Sequence, residues 1–234
     1  MKKLNPYDYV GISFWIISIA LAATTGFLVI ERNSINPKWR LSVSVGALIT
    51  GIAASHYYYM RQIWVASGNN PVVYRYIDWF LTVPLQIIEF YLILSIQNEI
   101  PFELFYKLLS ASVIMILSGY LGETGIVDRM LGFGIGMVSW LYILYQIFYG
   151  ETAQLKEENE DENIKNAFDS LKWIVTIGWS IYPIGYLLNN KNMNAVYNLG
   201  DLVNKILFAL FIWYNANPNF HERFKNYLSF FKQD

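Results

Sequence analysis

Apolar runs of about twenty residues alternate with short polar stretches along this chain of 234 residues. Residues 9–30, 130–150 and 173–190 contain no charged side chain, and residues 41–60 carry only His56. An α-helix rises about 1.5 Å per residue, so about 20 apolar residues cross a hydrocarbon core of ~30 Å. The pattern predicts seven spanning segments: 9–30, 41–60, 72–97, 100–121, 130–150, 173–190 and 193–213.

The connections between these segments are short and polar, as expected between antiparallel neighbours in a bundle. The longest is the acidic stretch 151–163, which we expect to be solvated. Backbone polar groups in lipid must be satisfied within each segment. The predicted fold class is therefore an all-α membrane protein, a seven-transmembrane-helix bundle that occupies residues 1–217.

The remaining residues, 218–234, form a predicted cytoplasmic tail. Phe220, Phe224, Tyr227 and Phe231 fall on one face of a helix, which is typical of an amphipathic helix in the membrane interface. A partly ordered tail is the alternative.

Positive charges predict the orientation of the bundle. With the N-terminus outside, the cytoplasmic side holds Arg32, Lys38, Arg40, Lys107, Lys156, Lys165, Arg223, Lys225 and Lys232. The external side then holds Lys2, Lys3, Arg61, Arg129 and Lys191. This asymmetry favours an external N-terminus and a cytoplasmic C-terminus. The two N-terminal lysines precede an apolar run without a small-residue cleavage site, so the run is expected to span the membrane rather than be removed.

Composition excludes several functions. Hydrophobic residues make up 55% of the chain and charged residues 15%, whereas soluble domains have about 25% charged residues. The net charge of -1 provides no basic field for nucleic acid. The chain has no cysteine, which rules out disulfides, zinc–thiolate sites, iron–sulfur clusters and thiol nucleophiles.

Several ionisable residues nevertheless lie within the predicted spans, where each costs roughly 2.5–3.5 kcal/mol and suggests a function. Arg75 and Asp78 are three residues apart and share a face of the third helix. Glu89 is eleven residues after Asp78, about three turns, so it shares that face at a distance of ~16 Å. Two carboxyl groups so far apart are expected to flank something from opposite sides of the membrane.

The seventh segment carries Asp201 and Lys205, four residues apart. In water this would be an ordinary helix-surface ion pair worth a few tenths of a kcal/mol. In an apolar helix, a lysine is better suited to forming a Schiff base with an aldehyde. Asp78 and Asp201 can supply the carboxylates that keep such an imine protonated, and Arg75 balances the charge.

Glu89 and His56 are two further ionisable groups within the predicted spans. Glu89 is flanked by Ile87, Ile88 and Phe90, and burial among them favours the neutral acid. A lone membrane histidine such as His56 can simply hydrogen-bond a neighbouring helix.

Three motifs resemble those of the microbial rhodopsins. Residues 75–84, Arg-Tyr-Ile-Asp-Trp-Phe-Leu-Thr-Val-Pro, resemble the third-helix signature, and residues 201–205, Asp-Leu-Val-Asn-Lys, the retinal-attachment segment. Residues 179–183, Trp-Ser-Ile-Tyr-Pro, resemble the sixth-helix segment that contacts the chromophore. The proteorhodopsin group is the most similar, for three reasons. His56 precedes Asp78 by 22 residues, as in the histidine–aspartate pair of that group. The chain also has the pattern Asp78/Thr82/Glu89, and residues 119–123 resemble a segment of that group.

The resemblance implies a proton path. Lys205 would bind all-trans retinal as a Schiff base, and Asp78 would be the primary counterion and proton acceptor. Asp201 would be the second counterion, and Arg75 part of the exit gate. Glu89 would be the proton donor on the cytoplasmic side.

The resemblance also implies the surroundings of the chromophore. His56 would hydrogen-bond Asp78 and tune its affinity for protons, and Thr82 belongs to the same pattern. The chromophore would be confined by Trp79, Trp179 and Tyr182, with Pro183 shaping the sixth helix. At position 86, leucine accompanies green absorption and glutamine blue absorption in the family, so Gln86 predicts a blue-absorbing form.

The implied function is a light-driven outward proton pump, an ion transporter rather than an enzyme, in the inner membrane of a prokaryotic cell. Its partners would be the lipid bilayer and protons, with no nucleic acid and no metal. A pentamer or hexamer is expected, in which His56 reaches towards Trp15 of a neighbouring copy.

A slow-cycling photosensory rhodopsin on the same scaffold is the alternative. Glu89 favours the pump, because a donor carboxylate shortens the photocycle. An anion pump is disfavoured by Asp78, which occupies the site that a halide needs, and a sodium pump by the absence of Asn at 78 and Asp at 82. A retinal-free receptor or transporter leaves Lys205 unexplained.

Overall fold

The computed structural model describes residues 4–188, 193–217 and 220. Within them the chain is all-helical, without strands. The helices are α1 Tyr9–Glu31, α2 Arg40–Ser67, α3 Val72–Leu94, α4 Phe102–Glu123, α5 Arg129–Phe148, α6 Glu151–Glu158, α7 Glu162–Thr176, α8 Ile181–Leu188 and α9 Met193–Asn215, with 3-10 turns at Pro37–Trp39 and Gly178–Ser180.

These helices form seven rods, which confirms the predicted seven-helix fold. The fifth rod is α5 continued by α6 after a break at Tyr149 and Gly150, and the sixth is α7, the turn Gly178–Ser180 and α8. Each rod packs against the next, and α9 returns to pack against α1 and α2, which closes the bundle. We call the end where α1 begins the N-face and the end where α9 ends the C-face.

Five of the described helices are long and apolar enough to cross a membrane. They are Tyr9–Glu31, Val72–Leu94, Phe102–Glu123, Arg129–Glu158 and Met193–Asn215. The rods formed by α2 and by α7 with α8 are of comparable length and complete the bundle.

Local contacts mark the ends of the first two rods. Asp8 caps α1 by accepting a hydrogen bond from the Gly11 amide at 2.9 Å, and it also accepts one from the Trp64 indole at 2.9 Å. At the N-face, α2 ends at Gly68, whose φ of 67° is left-handed and favours glycine. These contacts fix the N-face ends of α1 and α2 relative to each other.

The connection 151–163 is exposed in part, as expected for a solvated stretch, with 72% of the Glu157 side chain and 78% of the Glu162 side chain accessible, but it is not an irregular loop. Most of this stretch is helical, and Thr152 is fully buried. Ion pairs hold it in place: Lys156 to Asp169 at 3.0 Å, and Lys107 to Glu151 at 3.1 Å. The start of α7 is also amphipathic, with buried positions spaced by three and four residues: Ile164, Ala167, Phe168 and Leu171.

Two predicted features lie outside the described residues. The connection 189–192 is one, and the tail 218–234 is the other except for Phe220. The ring of Phe220 packs against Trp213 at 5.1 Å between centroids. The boundary after residue 217 and the amphipathic tail therefore stay predictions.

Candidate functional site

Four ionisable side chains meet in the middle of the bundle. The amine of Lys205 contacts the carboxylate of Asp78 and lies 3.5 Å from Asp201, which is 3.8 Å from Arg75. All four residues are buried, with no more than 3% of any of them exposed. Two cations and two carboxylates make the centre neutral, which lowers the cost of burying each charge.

Helical spacing brings these groups together. On α3, Arg75 and Asp78 are three residues apart and both are buried. On α9, Asn194, Asn198, Asp201 and Lys205 follow one another by four, three and four residues, so they line one face of the helix. The facing sides of α3 and α9 therefore form a polar seam inside an otherwise apolar bundle.

The carboxylate of Asp201 is surrounded by donors. The Tyr57 hydroxyl donates to it, the Tyr182 hydroxyl donates at 2.6 Å, and the Trp79 indole lies 3.3 Å away. Together with the neighbouring Lys205 and Arg75, these groups stabilise the ionised form of Asp201.

Asp78 has fewer partners. One of its carboxylate oxygens contacts Lys205, and the other accepts no hydrogen bond from the described residues. The Thr82 hydroxyl donates to the backbone carbonyl of Asp78 at 2.9 Å rather than to its carboxylate. Asp78 therefore keeps an oxygen free to take up a proton, whereas Asp201 does not.

His56 lies beside Asp78 but is not hydrogen-bonded to it. Its Nδ1 is 3.8 Å from Asp78 Oδ1 and 3.2 Å from the carbonyl oxygen of Ile52. A separation of 3.8 Å is longer than a hydrogen bond. The predicted hydrogen bond is absent from this structure, although the two side chains are neighbours.

Arg75 is fixed on the N-face side of the centre. It donates to the Tyr57 hydroxyl at 3.0 Å, to Asn194 at 3.2 Å and to Asn198 at 2.8 Å. Its guanidinium also lies 5.3 Å from the ring of Tyr197. Arg75 thus stands between Asp201 and the N-face end of the bundle.

The sixth rod breaks next to Lys205. The Asn204 amide donates to the Gly178 carbonyl at 2.9 Å and lies 3.1 Å from the Tyr182 hydroxyl. A Cβ at Gly178 would lie 2.0 Å from the Asn204 oxygen, so only glycine allows this approach. Gln86 on α3 donates to the Asn204 carbonyl at 3.3 Å. Three rods are therefore tied together around the lysine.

An apolar cavity of about 130 Å³ begins at Lys205 and extends between α3, α4, α5 and the sixth rod. Its walls include Trp79, Val83, Gln86, Met115, Gly119, Gly136, Trp140, Trp179, Tyr182 and Pro183. An amine at one end and apolar walls along the rest fit an apolar aldehyde linked to Lys205. The amine of Lys205 and the apolar walls therefore suit retinal, the cofactor that the resemblance implies.

Glu89 lies apart from the centre. It is fully buried, and its carboxyl oxygens make no hydrogen bond with the described residues, although the Ser42 hydroxyl lies alongside. The residues near it are apolar, including Phe90, whose ring packs against Phe168 at 5.0 Å. The structure therefore places Glu89 on the C-face side, separated from Lys205 by apolar side chains.

The structure groups the predicted site residues as follows. The charge centre contains Lys205, Asp78, Asp201 and Arg75, with His56 and Thr82 beside it; the cavity wall contains Trp79, Gln86, Trp179, Tyr182 and Pro183; Glu89 is separate. Sequence reasoning missed Tyr57, Asn194, Asn198 and Asn204. The two asparagines at 194 and 198 had a signal, because they precede Asp201 and Lys205 at helical spacing.

Comparisons with known proteins agree with this arrangement. Residues 8–218 match the family of bacteriorhodopsin-like proteins. The chain is 43% identical over 218 residues to the green-light absorbing proteorhodopsin of Gamma-proteobacterium EBAC31A08, covering 90% of this chain and 87% of that protein. It is also 43% identical over 219 residues to the blue-light absorbing proteorhodopsin of Gamma-proteobacterium Hot 75m4, with the same coverage.

A solved structure has the same fold. The blue light-absorbing proteorhodopsin from Med12 is 46% identical, with a TM-score of 0.78, and the match covers 89% of this chain and 98% of that one.

Proposed function

This chain belongs to the bacteriorhodopsin-like protein family, and we propose that it is a light-driven outward proton pump with all-trans retinal bound at Lys205. The observation that carries the proposal is the unequal environment of the two carboxylates. Asp78 contacts the lysine amine and keeps an unpartnered oxygen, whereas Asp201 is saturated by donors.

Lys205 would hold retinal through its amine, and the bound group would supply light absorption and the isomerisation that starts proton transfer. The protein determines where that proton goes. Asp78 is in contact with the lysine nitrogen and has a free oxygen, so it is the acceptor. Asp201 keeps its negative charge, because protonating it would sacrifice hydrogen bonds from Tyr57 and Tyr182.

Arg75 governs the exit side. It balances Asp201 at 3.8 Å and is tethered by two asparagines of α9. When Asp78 becomes neutral, the centre loses one negative charge, and the positive charge of Arg75 is less well balanced. The guanidinium then favours release of a proton towards the N-face. This is the exit-gate role that we assign to Arg75.

Glu89 returns the proton to the lysine from the C-face. Its burial without hydrogen-bond partners suits a carboxyl group that holds a proton until the lysine nitrogen needs one. The apolar side chains around it keep bulk water from supplying that proton directly. Because Asp78 and Glu89 lie on opposite sides of Lys205, the transfers follow one direction.

His56 is the partner of Asp78 in this proposal. At 3.8 Å, a small rotation of either side chain would close a hydrogen bond. Such a hydrogen bond would adjust proton uptake by Asp78. Thr82 assists by anchoring the backbone of α3 at Asp78.

Gln86 supports blue absorption. Its side chain is buried in the cavity wall and its amide is oriented by the Asn204 carbonyl next to Lys205. An oriented amide dipole there stabilises the resting charge distribution around the lysine nitrogen more than the excited one. Trp79, Trp179, Tyr182 and Pro183 confine the chromophore in this proposal.

The chain acts in the membrane of a prokaryotic cell, as its proteorhodopsin relatives do. We place it in the inner membrane with the N-face outside, on the asymmetry of lysine and arginine. We also propose a homo-oligomer, a pentamer or hexamer. Partial exposure of His56 on the outside of the bundle, at 22% of its side chain, is compatible with contact to Trp15 of a neighbouring copy.

Cells that express the protein and are supplied with retinal test the function directly. Illumination should acidify an unbuffered medium, and a protonophore should abolish the change. Asp78→Asn should form a pigment but move no protons. A visible pigment without any light-driven pH change would contradict pumping and favour the alternative function, a photosensory rhodopsin.

A further inference from the structure

A groove of about 370 Å³ lies between α7 and α9 near the C-face. It shares no lining residue with the cavity at Lys205. Each wall is one face of a helix, because the lining positions are spaced by three and four residues. They are Asn166, Asp169, Ser170 and Trp173 on α7, and Phe211, Tyr214 and Asn215 on α9.

The aromatic side chains of this C-face groove are partly exposed. Trp173 is 52% exposed, and Phe211 and Tyr214 are each 37% exposed. Single exposed aromatic residues are ordinary, but three that converge on one groove between two helices form a surface that suits the apolar face of an amphipathic helix. Polar side chains along the α7 wall suit the edge of such a helix.

The chain itself reaches the edge of the groove. The ring of Phe220 lies 5.8 Å from the ring of Tyr214, which lines the groove. Residues 221–234 follow Phe220 outside the described part of the structure. As a helix, the eleven residues 221–231 would be ~16 Å long, and the α7 wall from Asn166 to Trp173 extends over ~10 Å. The tail is therefore long enough to cover the groove.

Charge also favours the tail as the occupant. Residues 221–232 contain three basic side chains and one acidic one, whereas the connection 151–162 contains six acidic side chains and one lysine. That connection adjoins the groove through Lys156, which lies 3.0 Å from Asp169. Asp169 also pairs with Lys172 at 2.8 Å, so the surplus negative charge is that of the other acidic residues in the connection.

We propose that residues 221–231 dock in the C-face groove of the same chain. The face that carries Phe224, Tyr227 and Phe231 packs on the aromatic side chains of the groove, and the basic residues face the acidic connection. The docked tail joins the sixth and seventh rods at the C-face. It also covers α7 next to Phe168, whose ring packs on Phe90 beside Glu89. This contact does not depend on the proposed pump function.

Disulfide cross-linking tests the contact in the full-length protein in its membrane. The chain has no cysteine, so two introduced cysteines are the only pair that can react. Ser170→Cys places one in the groove, and Phe224→Cys, Tyr227→Cys or Phe231→Cys places the second in the tail. A disulfide needs Cα atoms within ~7 Å of each other. Mild oxidation should therefore join residue 170 to at least one of these tail positions within one chain.

Ser229→Cys, paired with Ser170→Cys, is the matched control. On a helix Ser229 lies opposite the aromatic face, and the helix is ~10–12 Å across with its side chains, so this cross-link should be lost. Peptide mass spectrometry identifies the joined residues, and migration as a monomer shows that both belong to one chain. Circular dichroism equal to that of the unsubstituted chain checks that each variant folds.

Hydrogen exchange gives a second measurement that needs no cysteine. Deleting residues 221–234 should remove protection from the amides of α7 around residues 166–173, because a docked tail opposes local opening there. Amides at the start of α4, which also lies at the C-face, should keep theirs.

The outcomes decide between occupants. Cross-links within one chain that disappear with Ser229→Cys support the docked tail. Failure of all three tail positions to react, as for a tail that lies in the lipid interface, would overturn it. Cross-links only between chains would assign the groove to a second copy and would also overturn it, as would unchanged exchange of α7 after the deletion.

Discussion

Replacing Glu89 by glutamine removes the proposed donor while keeping its shape. The side chain is fully buried and makes no hydrogen bond with the described residues, so the substitution breaks no bond seen in the structure. The change should therefore leave the pigment and its first proton transfer intact. Its effect should appear only when the lysine nitrogen must regain a proton.

The size of the effect follows from the geometry. Glu89 lies eleven residues, or ~16 Å, along α3 from Asp78 and on the C-face side of Lys205. A lost general acid typically costs about 100- to 10,000-fold in the rate of proton transfer. Without it, the proton must come from the medium through the apolar layer that contains Phe90 and Phe168. The recovery rate should then follow the bulk proton concentration and fall as the pH of the medium rises.

Flash photolysis of the retinal-loaded protein measures this rate as the return of the visible absorption. The matched control is Glu99→Gln, which changes an exposed carboxylate just beyond α3 at the C-face. Glu89→Gln should recover at least about 100-fold more slowly and with a strong pH dependence, whereas Glu99→Gln should not. Equal recovery of the two variants, independent of pH, would refute the donor role.

Three further substitutions test the surroundings of the lysine. Gln86→Leu should shift the visible absorption to longer wavelength without preventing pigment formation; an unchanged spectrum would contradict the colour assignment. Gly178→Ala should lower stability by about 1–3 kcal/mol, because its Cβ would lie 2.0 Å from the Asn204 oxygen, and thermal loss of the visible band measures this. Gly134→Ala is the control, since an added Cβ there meets nothing within 4 Å, and equal melting of the two would argue against the helix tie. Asn198→Ala should cost about 1.5–3 kcal/mol in the same melting experiment, because it removes a 2.8 Å hydrogen bond to the charged Arg75, and undiminished stability would refute that contribution.

The charged members of the site were predictable because charge inside an apolar helix is costly. Arg75, Asp78, Asp201 and Lys205 stand out in hydrophobic segments, and helical spacing places them on shared faces. The structure adds their mutual contacts across α3 and α9, which no spacing within a single helix can determine. It also distinguishes the two carboxylates, since one is saturated and the other is not.

The neutral polar members were harder to predict. Tyr57 is one of three consecutive tyrosines, and nothing in the sequence distinguishes the one that donates to Asp201 from its exposed neighbours, Tyr58 and Tyr59. Asn204 also bears no charge, and its role depends on the break in the sixth rod at Gly178. Such residues act through tertiary contacts between distant helices, and hydropathy does not report these.

The acidic connection shows the limit of composition. Its charges suggest a solvated loop, yet ion pairs such as Lys107 with Glu151 neutralise part of them, and most of the stretch is helical. An amphipathic pattern beginning at Ile164 was present in the sequence and indicates the earlier start of α7. Charge alone was therefore a poorer guide there than periodicity.

Time-resolved infrared spectroscopy of the illuminated pigment tests the central claim most directly, because it identifies the carboxylate that takes the proton from Lys205. We predict that a protonated-carboxyl band appears as the lysine nitrogen loses its proton. The band should vanish in Asp78→Asn and persist in the matched Asp201→Asn variant. A band that persists in Asp78→Asn and vanishes in Asp201→Asn would contradict the account.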